Sequence, residues 1–341
     1  MPADIALRHT PARDRRGLAL LAALAALALI ALLALRLGYR PVTWAELAAA
    51  FTAYDPADPA QIVIREIRLP RIAAALLAGT ALGIAGALIQ GMTRNPLADP
   101  GLLGINAGAA VGVIGAVFLL RISDPSQFIW TALAGGALGA VAVFALGGGA
   151  QARPVRLLLA GAALTAFFLA LIRALVLVSR QSLETYRFWV LGGFENVTTD
   201  SLAALWPFFL GGALVALAAA LLIDALSLGD DTARGLGVNV GGARLLCGCA
   251  IVLLAASTVA LAGPIAFVGL IVPHMARAVM RQDMIWLAPC SGIFGACLLL
   301  LADLAGRSAL FGGTMQAGVM SALIGGPLLI WLIRRTGGSR T

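Results

Sequence analysis

Long apolar runs recur from one end of the chain to the other, and short polar connections separate them. A helix needs about 20 apolar residues to cross a bilayer, and about ten of the runs reach or approach that length. The predicted spanning helices lie at 18–37, 69–92, 103–120, 127–148, 155–179, 202–224, 243–262, 264–280, 285–306 and 317–334. This pattern predicts an all-α polytopic membrane protein with about ten transmembrane helices. One transmembrane domain would cover 18–335, with short tails at 1–17 and 336–341.

The composition indicates that lipid is the solvent of this chain. Hydrophobic residues make up 61% and charged residues 12% of the 341 residues, and the mean hydropathy is +0.97. Soluble domains are about half apolar and about a quarter charged. The formal net charge is +8, and all 24 basic residues are arginine. Because these arginines are dispersed between apolar runs, they do not predict a nucleic-acid partner.

The distribution of arginine predicts the orientation in the membrane. An even number of spans puts both termini on one side, and cytoplasmic loops are enriched in basic residues. With both termini in the cytoplasm, 14 of the 24 arginines fall on the cytoplasmic side. The basic flank at 13–16 is also typical of a signal peptide, but the run after it is long enough to span and no small-residue cleavage site follows. We therefore predict an uncleaved first helix. The arginines left on the external side need another explanation.

Two of these external arginines flank Pro70, at the predicted start of the second helix. Proline fits a first helical turn, where its missing N–H costs no hydrogen bond. Arg68 and Arg71 are three residues apart and share a helix face. Two interpretations stay open: the long side chains reach back to the membrane interface, or they form a docking patch for an acidic partner or an anionic ligand. Near another helix end, Asp303 and Arg307 are four residues apart and can form an ion pair.

Three further segments interrupt the apolar pattern. The loop at 90–104 contains the turn-forming pairs Asn-Pro and Asp-Pro. The polar loop at about 227–240 predicts a short helix that begins at Asp230 and Asp231, because carboxylates favour a helix N-terminus, and that ends at the glycines after it. In the segment 263–277, a Gly-Pro and a Pro-His pair predict two breaks in a helix at membrane depth.

The sequence lacks the motifs of several classes of enzyme and carrier. It has no lysine, so it cannot contain the phosphate-binding loop G-x-x-x-x-G-K-[ST]. The four cysteines and two histidines do not have the spacing of a metal site, and we predict neither a metal nor a cofactor in this chain. Carboxylates are scarce within the apolar runs, whereas proton-coupled carriers usually need them there. No catalytic residue is identified. An ion-coupled secondary transporter and an intramembrane enzyme stay open as alternatives.

Six motifs, in order and at matching spacing from about residue 60 to the C-terminus, resemble one family. They are IRLPR at 67–71, GALIQGMTRNPLADPGLLGINAGA at 86–109, SLGDDTARGLGV at 227–238, GPIAFVGLIVPHMAR at 263–277, AD-x-x-x-R at 302–307 and SALIGGP at 321–327. They resemble the permease subunits of ATP-binding-cassette importers for iron–siderophore complexes, haem and vitamin B12. The resemblance is closest to permeases of ferric catecholate siderophores such as enterobactin.

The resemblance implies the type II importer permease fold, with ten helices in the inner (cytoplasmic) membrane and both termini in the cytoplasm. It implies two permease subunits, identical or paralogous, around one pathway. It also implies two separate ATP-binding subunits, which use ATP and Mg²⁺, and a periplasmic or lipid-anchored substrate-binding protein. The chain itself would hold no cofactor and would be no enzyme.

The resemblance also implies roles for individual residues. The external arginines that meet acidic residues of the binding protein match Arg68, Arg71 and Arg307. The coupling loop that contacts the ATPase matches Gly229, Asp230, Asp231, Arg234, Leu236 and Gly237. Positions near the cytoplasmic gate match Asn95, Leu97, Pro154 and Val155.

Two segments depart from the family's pattern. Residues 192–194 read Gly-Gly-Phe instead of a common Gly-Ser-Leu, and residues 314–318 lack the usual glutamate and proline. We expect a permease that moves a ferric siderophore, of the catecholate type, across the inner membrane by alternating access. Specificity would lie in the binding protein, and haem and vitamin B12 stay open as cargo.

Overall fold

The computed structural model of the protein describes residues 12–38, 40–122, 124–149, 154–280, 283–308 and 315–337. Within these ranges the regular structure is helical and there is no β-strand. The α-helices in chain order are α1 (Ala12–Arg36), α2 (Trp44–Thr52), α3 (Pro59–Ile62), α4 (Leu69–Thr93), α5 (Ile105–Leu120), α6 (Pro125–Gly147), α7 (Pro154–Val178), α8 (Arg180–Trp189), α9 (Thr199–Ser227), α10 (Asp230–Gly235), α11 (Val240–Ala262), α12 (Val268–Met280), α13 (Met284–Gly306) and α14 (Ala317–Gly337). A π-helix, Val63–Arg68, joins α3 to α4, and a 3₁₀ turn, Pro100–Leu103, precedes α5.

The spanning helices agree with the ten apolar runs. Among the described residues, seven helical stretches are long and apolar enough to cross a membrane, and the shorter apolar helices α5, α12 and α14 complete the set. The prediction of an all-α polytopic membrane protein with about ten spans is confirmed. α1 begins at Ala12, so it takes in the end of the predicted tail at 1–17. Residues 1–11 and 338–341 lie outside the described residues.

α4 and α13 pack at the centre of the bundle, and glycines let them touch backbone to backbone. A Cβ atom on Gly79 would lie 2.4 Å from the carbonyl oxygen of Gly295, and one on Gly83 would lie 2.1 Å from that of Ser291. Both distances are far below a van der Waals contact, so this approach requires glycine. Helices in lipid associate largely through such close packing, since no hydrophobic force drives them together.

The bundle has two ends, which the antiparallel pair of α4 and α13 connects. Near its start, α4 contacts the last turn of α13, where the Arg71 side chain meets Asp303. Directly after α4, Arg94 contacts Asp230 at the start of α10. The 25 residues of α4 separate these two places by roughly 37 Å. We call them the arginine end, where Arg68, Arg71 and Arg307 lie, and the α10 end.

The helical stretch that contains Pro70 begins earlier than the sequence pattern predicts. The Asp58 side chain accepts a hydrogen bond from the backbone N–H of Ala60, and Pro59 occupies the first turn of α3. The chain then continues through the π-helix into α4 without interruption. Pro70 lies in the first turn of α4, as predicted, but not at the start of the whole stretch. Helical turns at 59–68, in which Arg65, Glu66 and Arg68 interrupt the apolar positions, therefore precede the predicted span at 69–92.

One of the two predicted breaks in the segment 263–277 is present. Between α11 and α12 the backbone leaves the helical conformation, and φ is +70° at both Gly263 and Phe267. A Cβ atom on Gly263 would lie 2.5 Å from the carbonyl oxygen of Trp189. Glycine is required at this position both by conformation and by space. As a result, α12 starts inside the bundle and is short.

The second predicted break, at Pro273, is wrong, because α12 continues through it. A proline inside a helix removes the hydrogen bond to the carbonyl four residues earlier, which is that of Gly269. Gln90 of α4 replaces this bond: its Nε2 donates to the carbonyl oxygens of Gly269, at 3.2 Å, and Leu270, at 3.0 Å. Arg277 donates in turn to Gln90 Oε1 at 2.6 Å. The replacement comes from a helix remote in sequence, so the local pattern does not show it.

Candidate functional site

At the arginine end, one carboxylate lies between two arginines. Asp303, near the end of α13, is fully buried. The guanidinium of Arg71 donates to Asp303 Oδ1 at 2.7 Å, and Arg307 Nε lies 3.0 Å from Asp303 Oδ2. The pair of Asp303 and Arg307 expected from their spacing is confirmed. Since Arg71 belongs to α4, these charge-assisted contacts also hold α4 against α13.

Arg68 and Arg307 attach the end of α1 to the same cluster. Arg68 donates to the carbonyl oxygen of Leu35 at 2.6 Å and to that of Arg40. Arg307 donates to the carbonyl oxygen of Ala34 at 3.3 Å. The last carbonyl groups of a helix have no partner within the helix. The two guanidinium groups therefore satisfy the C-terminal end of α1 and hold it beside α4 and α13.

Glu195, in the loop between α8 and α9, is the most exposed member of this cluster. Arg71 Nη2 donates to Glu195 Oε1 at 3.0 Å, and the Glu195 side chain is 37% exposed. By contrast, Arg68, Arg71 and Arg307 are 4%, 8% and 8% exposed. The structure brings the three predicted docking arginines together and engages each of them within the chain. Their docking role stays a prediction. The sequence pattern missed Glu195 because its partner lies 124 residues away.

The loop of Glu195 is fixed to two other connections of the chain. The backbone N–H of Gly193 donates to the carbonyl oxygen of Ala262 at 2.8 Å, and that of Gly318 donates to the carbonyl oxygen of Gly192 at 2.9 Å. The two segments that depart from the family's pattern, 192–194 and 314–318, therefore meet here. Thr314 itself lies outside the described residues. A change in one segment acts directly on the other because their backbones are hydrogen-bonded.

At the α10 end, the predicted coupling loop has the form that the sequence predicts, and its coupling role stays a prediction. A short helix begins at Asp230, and the glycines on either side of it have φ of +111° and +80°. Asp231 and Arg234 form an exposed pair at 2.9 Å. The Leu236 side chain is 63% exposed. α10 and the residue that follows it thus present a charged pair and the Leu236 side chain outside the bundle, where another protein can reach them.

Asp230 differs from its neighbour Asp231, because its side chain is engaged within the chain. The side chain of Asp230 is 29% exposed, whereas that of Asp231 is 100% exposed. Arg244 of α11, with a side chain 6% exposed, donates to both carboxylate oxygens of Asp230 at 2.9 and 2.8 Å. Arg94 also donates to Asp230. The resemblance implies that Asp230 contacts a partner. In the structure it carries two internal ion pairs, and only Asp231 is free of the bundle.

The predicted gate residues lie near the same end. We call residues 94–99, which follow α4, the gate loop. Asn95 Oδ1 accepts a hydrogen bond from the backbone N–H of Leu97 at 3.0 Å, which forms a tight turn. Leu97 and Val155 are 49% and 65% exposed, and α7 begins at Pro154, whose side chain lies outside the described residues. Their gating role stays a prediction.

Comparisons with known proteins agree with this arrangement. The FecCD transport family matches residues 26–335. The ferric enterobactin transport system permease protein FepD of Escherichia coli (strain K12) is 40% identical, over 88% of this chain and 90% of FepD. The hemin transport system permease protein HmuU of Yersinia pestis is 37% identical, over 79% of this chain and 82% of HmuU. An inward-facing structure of a metal-chelate type ABC transporter matches with a TM-score of 0.82 at 29% identity, and it covers 93% of this chain and 99% of that chain. Given a match over nearly the whole sequence and the whole fold, the chain belongs to the FecCD transport family.

Proposed function

We propose that this chain is the permease subunit of an ATP-driven importer that moves a ferric siderophore, of the catecholate type, across the inner membrane by alternating access. The observation that carries the proposal is one helical bundle whose two ends differ in exposure, with a buried arginine cluster at one end and the exposed short helix α10 at the other. The FecCD match and the 40% identity with FepD support it. The chain supplies the pathway, and partner subunits supply the energy and the recognition of cargo.

A second permease subunit, identical or paralogous, fits against the exposed face of α7. Among larger apolar residues, that face carries small side chains and one charge, at Ala163, Ala166, Ala170 and Arg173. The exposed face of α9 carries Leu210, Leu214, Leu217 and Leu221 instead. Small side chains permit close helix contacts, and an arginine that faces lipid is costly. α9 is therefore suited to lipid, and α7 is suited to a second subunit and to a shared pathway.

Two ATP-binding subunits, with their ATP and Mg²⁺, would bind at the α10 end. Arg234 and Leu236 are exposed there on a short helix that projects from the bundle. The first helix begins at the same end, because Arg16 lies 3.3 Å from Asp283, which precedes α13. This end would face the cytoplasm together with both termini, in agreement with the distribution of arginine.

A substrate-binding protein, periplasmic or lipid-anchored, would dock at the arginine end. The guanidinium groups there are engaged inside the chain, so an incoming carboxylate must compete for them. Glu195 is the partner most open to exchange, since its side chain is 37% exposed and it shares Arg71 with the buried Asp303. Docking would then replace an internal ion pair with an intermolecular one, which favours specificity more than affinity.

Uptake of radioactive iron tests the cargo. The iron is presented as a ferric catecholate to iron-starved cells in which the gene is deleted and then restored. We expect uptake to be lost and recovered. Normal uptake in a deletion strain without redundant permeases would refute this cargo. Haem is the second candidate, because HmuU is 37% identical to this chain, close to the 40% of FepD. Labelled haem in the same strains separates the two.

The energy source is tested separately from the cargo. An uncoupler that collapses the proton gradient is added while the ATP level is held constant. ATP-driven import continues under this condition. Import that stops would refute the ATPase partners and would support an ion-coupled carrier.

A further inference from the structure

Asp230 joins three parts of the chain that are distant from one another. It lies at the start of α10, its partner Arg94 begins the gate loop, and its partner Arg244 lies near the start of α11. The pair of Arg94 and Asp230 connects residues 136 positions apart. The coupling helix and the gate loop are thus connected directly by a pair of side chains, at the end where an ATPase would bind.

The two arginines hold Asp230 in different ways. The side chain of Arg244 is 6% exposed and donates to both carboxylate oxygens, so it fixes α10 to α11. The side chain of Arg94 is 40% exposed. An ion pair this open to solvent contributes little to stability. The backbone of Arg94 also has a φ of +52°, which is uncommon for a residue other than glycine. The contact of Arg94 therefore fixes the position of the gate loop relative to α10 and adds little to the free energy of unfolding.

The gate loop is compact, so a displacement of Arg94 carries the rest of the loop with it. The backbone N–H of Ala98 donates to the carbonyl oxygen of Asn95 at 3.1 Å, in addition to the contact between Asn95 and Leu97. At the far end of the loop, Gln90 donates to the carbonyl oxygen of Ala98 at 3.3 Å. This second attachment holds the far end of the gate loop to α4.

We propose that Arg94 is a positioning residue, which through Asp230 makes the gate loop move together with α10. The inference rests on the proposed function, since it needs an ATPase that acts on α10. In this scheme the ATPase moves α10 through the exposed residues Arg234 and Leu236. Asp230 transfers that movement to Arg94, and Leu97 changes its position relative to the pathway.

Spin labels measure the two movements separately. Cys247, Cys249, Cys290 and Cys297 are first replaced, and one cysteine is then introduced at Thr232 in α10 or at Leu97 in the gate loop, both of which are exposed. The permease is assembled with its ATPase subunits in lipid nanodiscs. If the second permease subunit is paralogous, a second label is placed on it; if it is identical, each single label on the two copies gives one distance. It is measured without nucleotide and after trapping with ATP and vanadate.

In the assembly with Arg94 unchanged, we expect a shift at both positions. Arg94→Gln keeps the shift at Thr232 and removes most of the shift at Leu97. In proteoliposomes that hold the same assembly and are supplied with the binding protein, it lowers the iron transported per ATP hydrolysed several-fold. Asp230→Asn has the same effect as Arg94→Gln on both measurements. Arg94→Lys keeps the charge, and it keeps the shift at Leu97 and the iron transported per ATP hydrolysed. Arg16→Gln is the matched control, because it breaks the pair with Asp283 at the same end, 3.3 Å long, and leaves both shifts unchanged.

Two results would overturn the inference. One is a full shift at Leu97 in Arg94→Gln. The other is loss of both shifts in Arg94→Gln at an unchanged unfolding temperature, since Arg94 would then serve the contact with the ATPase itself. If the assembly with Arg94 unchanged shows neither a shift nor ATP hydrolysis, the proposed function fails instead.

Discussion

The two ends of the bundle use the same chemistry, arginine beside aspartate, in opposite surroundings. At the arginine end, the Asp303 side chain is fully buried and the side chains of Arg71 and Arg307 are each 10% exposed. At the α10 end, Asp231 is 100% and Arg234 61% exposed. A buried pair is rigid and costly to break, whereas an exposed pair is weak and open to partners. Burial, and not the number of arginines, therefore separates the pairs that hold helices together from the pairs, such as Asp231 with Arg234 and Arg71 with Glu195, that a partner can reach.

Removing one carboxylate from each end gives the largest expected contrast. Asp303→Ala leaves Arg307 as a buried charge without its counter-ion and leaves Arg71 with Glu195 alone, and we expect a loss of about 3–5 kcal/mol in the free energy of unfolding. Asp231→Ala removes an exposed partner, and we expect no measurable change. Thermal unfolding of both variants in the same lipid nanodiscs provides the comparison. Equal losses would contradict the difference between the ends.

Gln90→Leu tests whether the α10 end also contains a buried polar network. The change removes the donor to Gly269 and Leu270 and the acceptor of Arg277. We expect a loss of about 1–3 kcal/mol, because buried polar groups stay unpaired. Gln127→Leu, at an exposed position, is the control. If both variants unfold at the same temperature, water or another group replaces Gln90 and the bonds described here contribute no stability.

Glu195→Gln weakens an internal competitor for Arg71. An exposed ion pair contributes less than about 1 kcal/mol, so we expect docking of the binding protein to tighten by about two- to fivefold. Glu184→Gln is the control. Glu184 and Arg180 form an exposed pair, 3.4 Å long, within α8, the helix that precedes the loop of Glu195. The measurement is the dissociation constant of the binding protein for the permease in nanodiscs. Weaker docking would show that Glu195 orients Arg71 for the partner and does not compete with it.

The smallest effect concerns an exposed contact at the arginine end. Hydrogen bonds from the Thr43 backbone and side chain hold the pKa of Glu46 below its ordinary value of 4.5. The ionised form caps α2, so its contribution is complete above the ordinary pKa and is lost as the pH falls through the lowered pKa. Carbon-13 titration of the carboxyl group measures that pKa. Thr43→Val removes the hydroxyl bond and keeps the larger effect of the backbone bond, so it should raise the pKa part of the way towards 4.5. No change would show that the hydroxyl bond does not form.

The apolar pattern was sufficient to predict the number and approximate position of the spans, because lipid allows few alternatives to a helix. It failed where the explanation is remote in sequence. Pro273 predicts a break, but α12 continues through it, and Gln90 of α4 donates to the carbonyl of Gly269 that the proline leaves without its helical partner. The turns at 59–68 were missed because Arg65, Glu66 and Arg68 interrupt the apolar pattern there. The helical form of these turns depends on the cap at Asp58 and on the helix that follows.

In the candidate site too, local features were predicted from the sequence and remote contacts were missed. The pair of Asp303 and Arg307 and the start of α10 at Asp230 are local features, and their spacing predicts them. The partners Glu195 and Arg94 are 124 and 136 residues from the groups they contact, and no local pattern specifies them. The resemblance names the family's functional positions but does not say which of them already have a partner inside the chain.

The glycine contacts between α4 and α13 have a mechanical consequence. Gly79 and Gly83 bring the two backbones so close that neither helix can rotate or slide without forcing a carbonyl oxygen against the other chain segment. With Asp303 fixed to Arg71 at one end, the two helices behave as a single stiff lever roughly 37 Å long. A tilt of this lever moves its two ends in opposite directions by amounts in fixed proportion. The fulcrum of any rocking movement must therefore lie between the lever and its neighbouring helices.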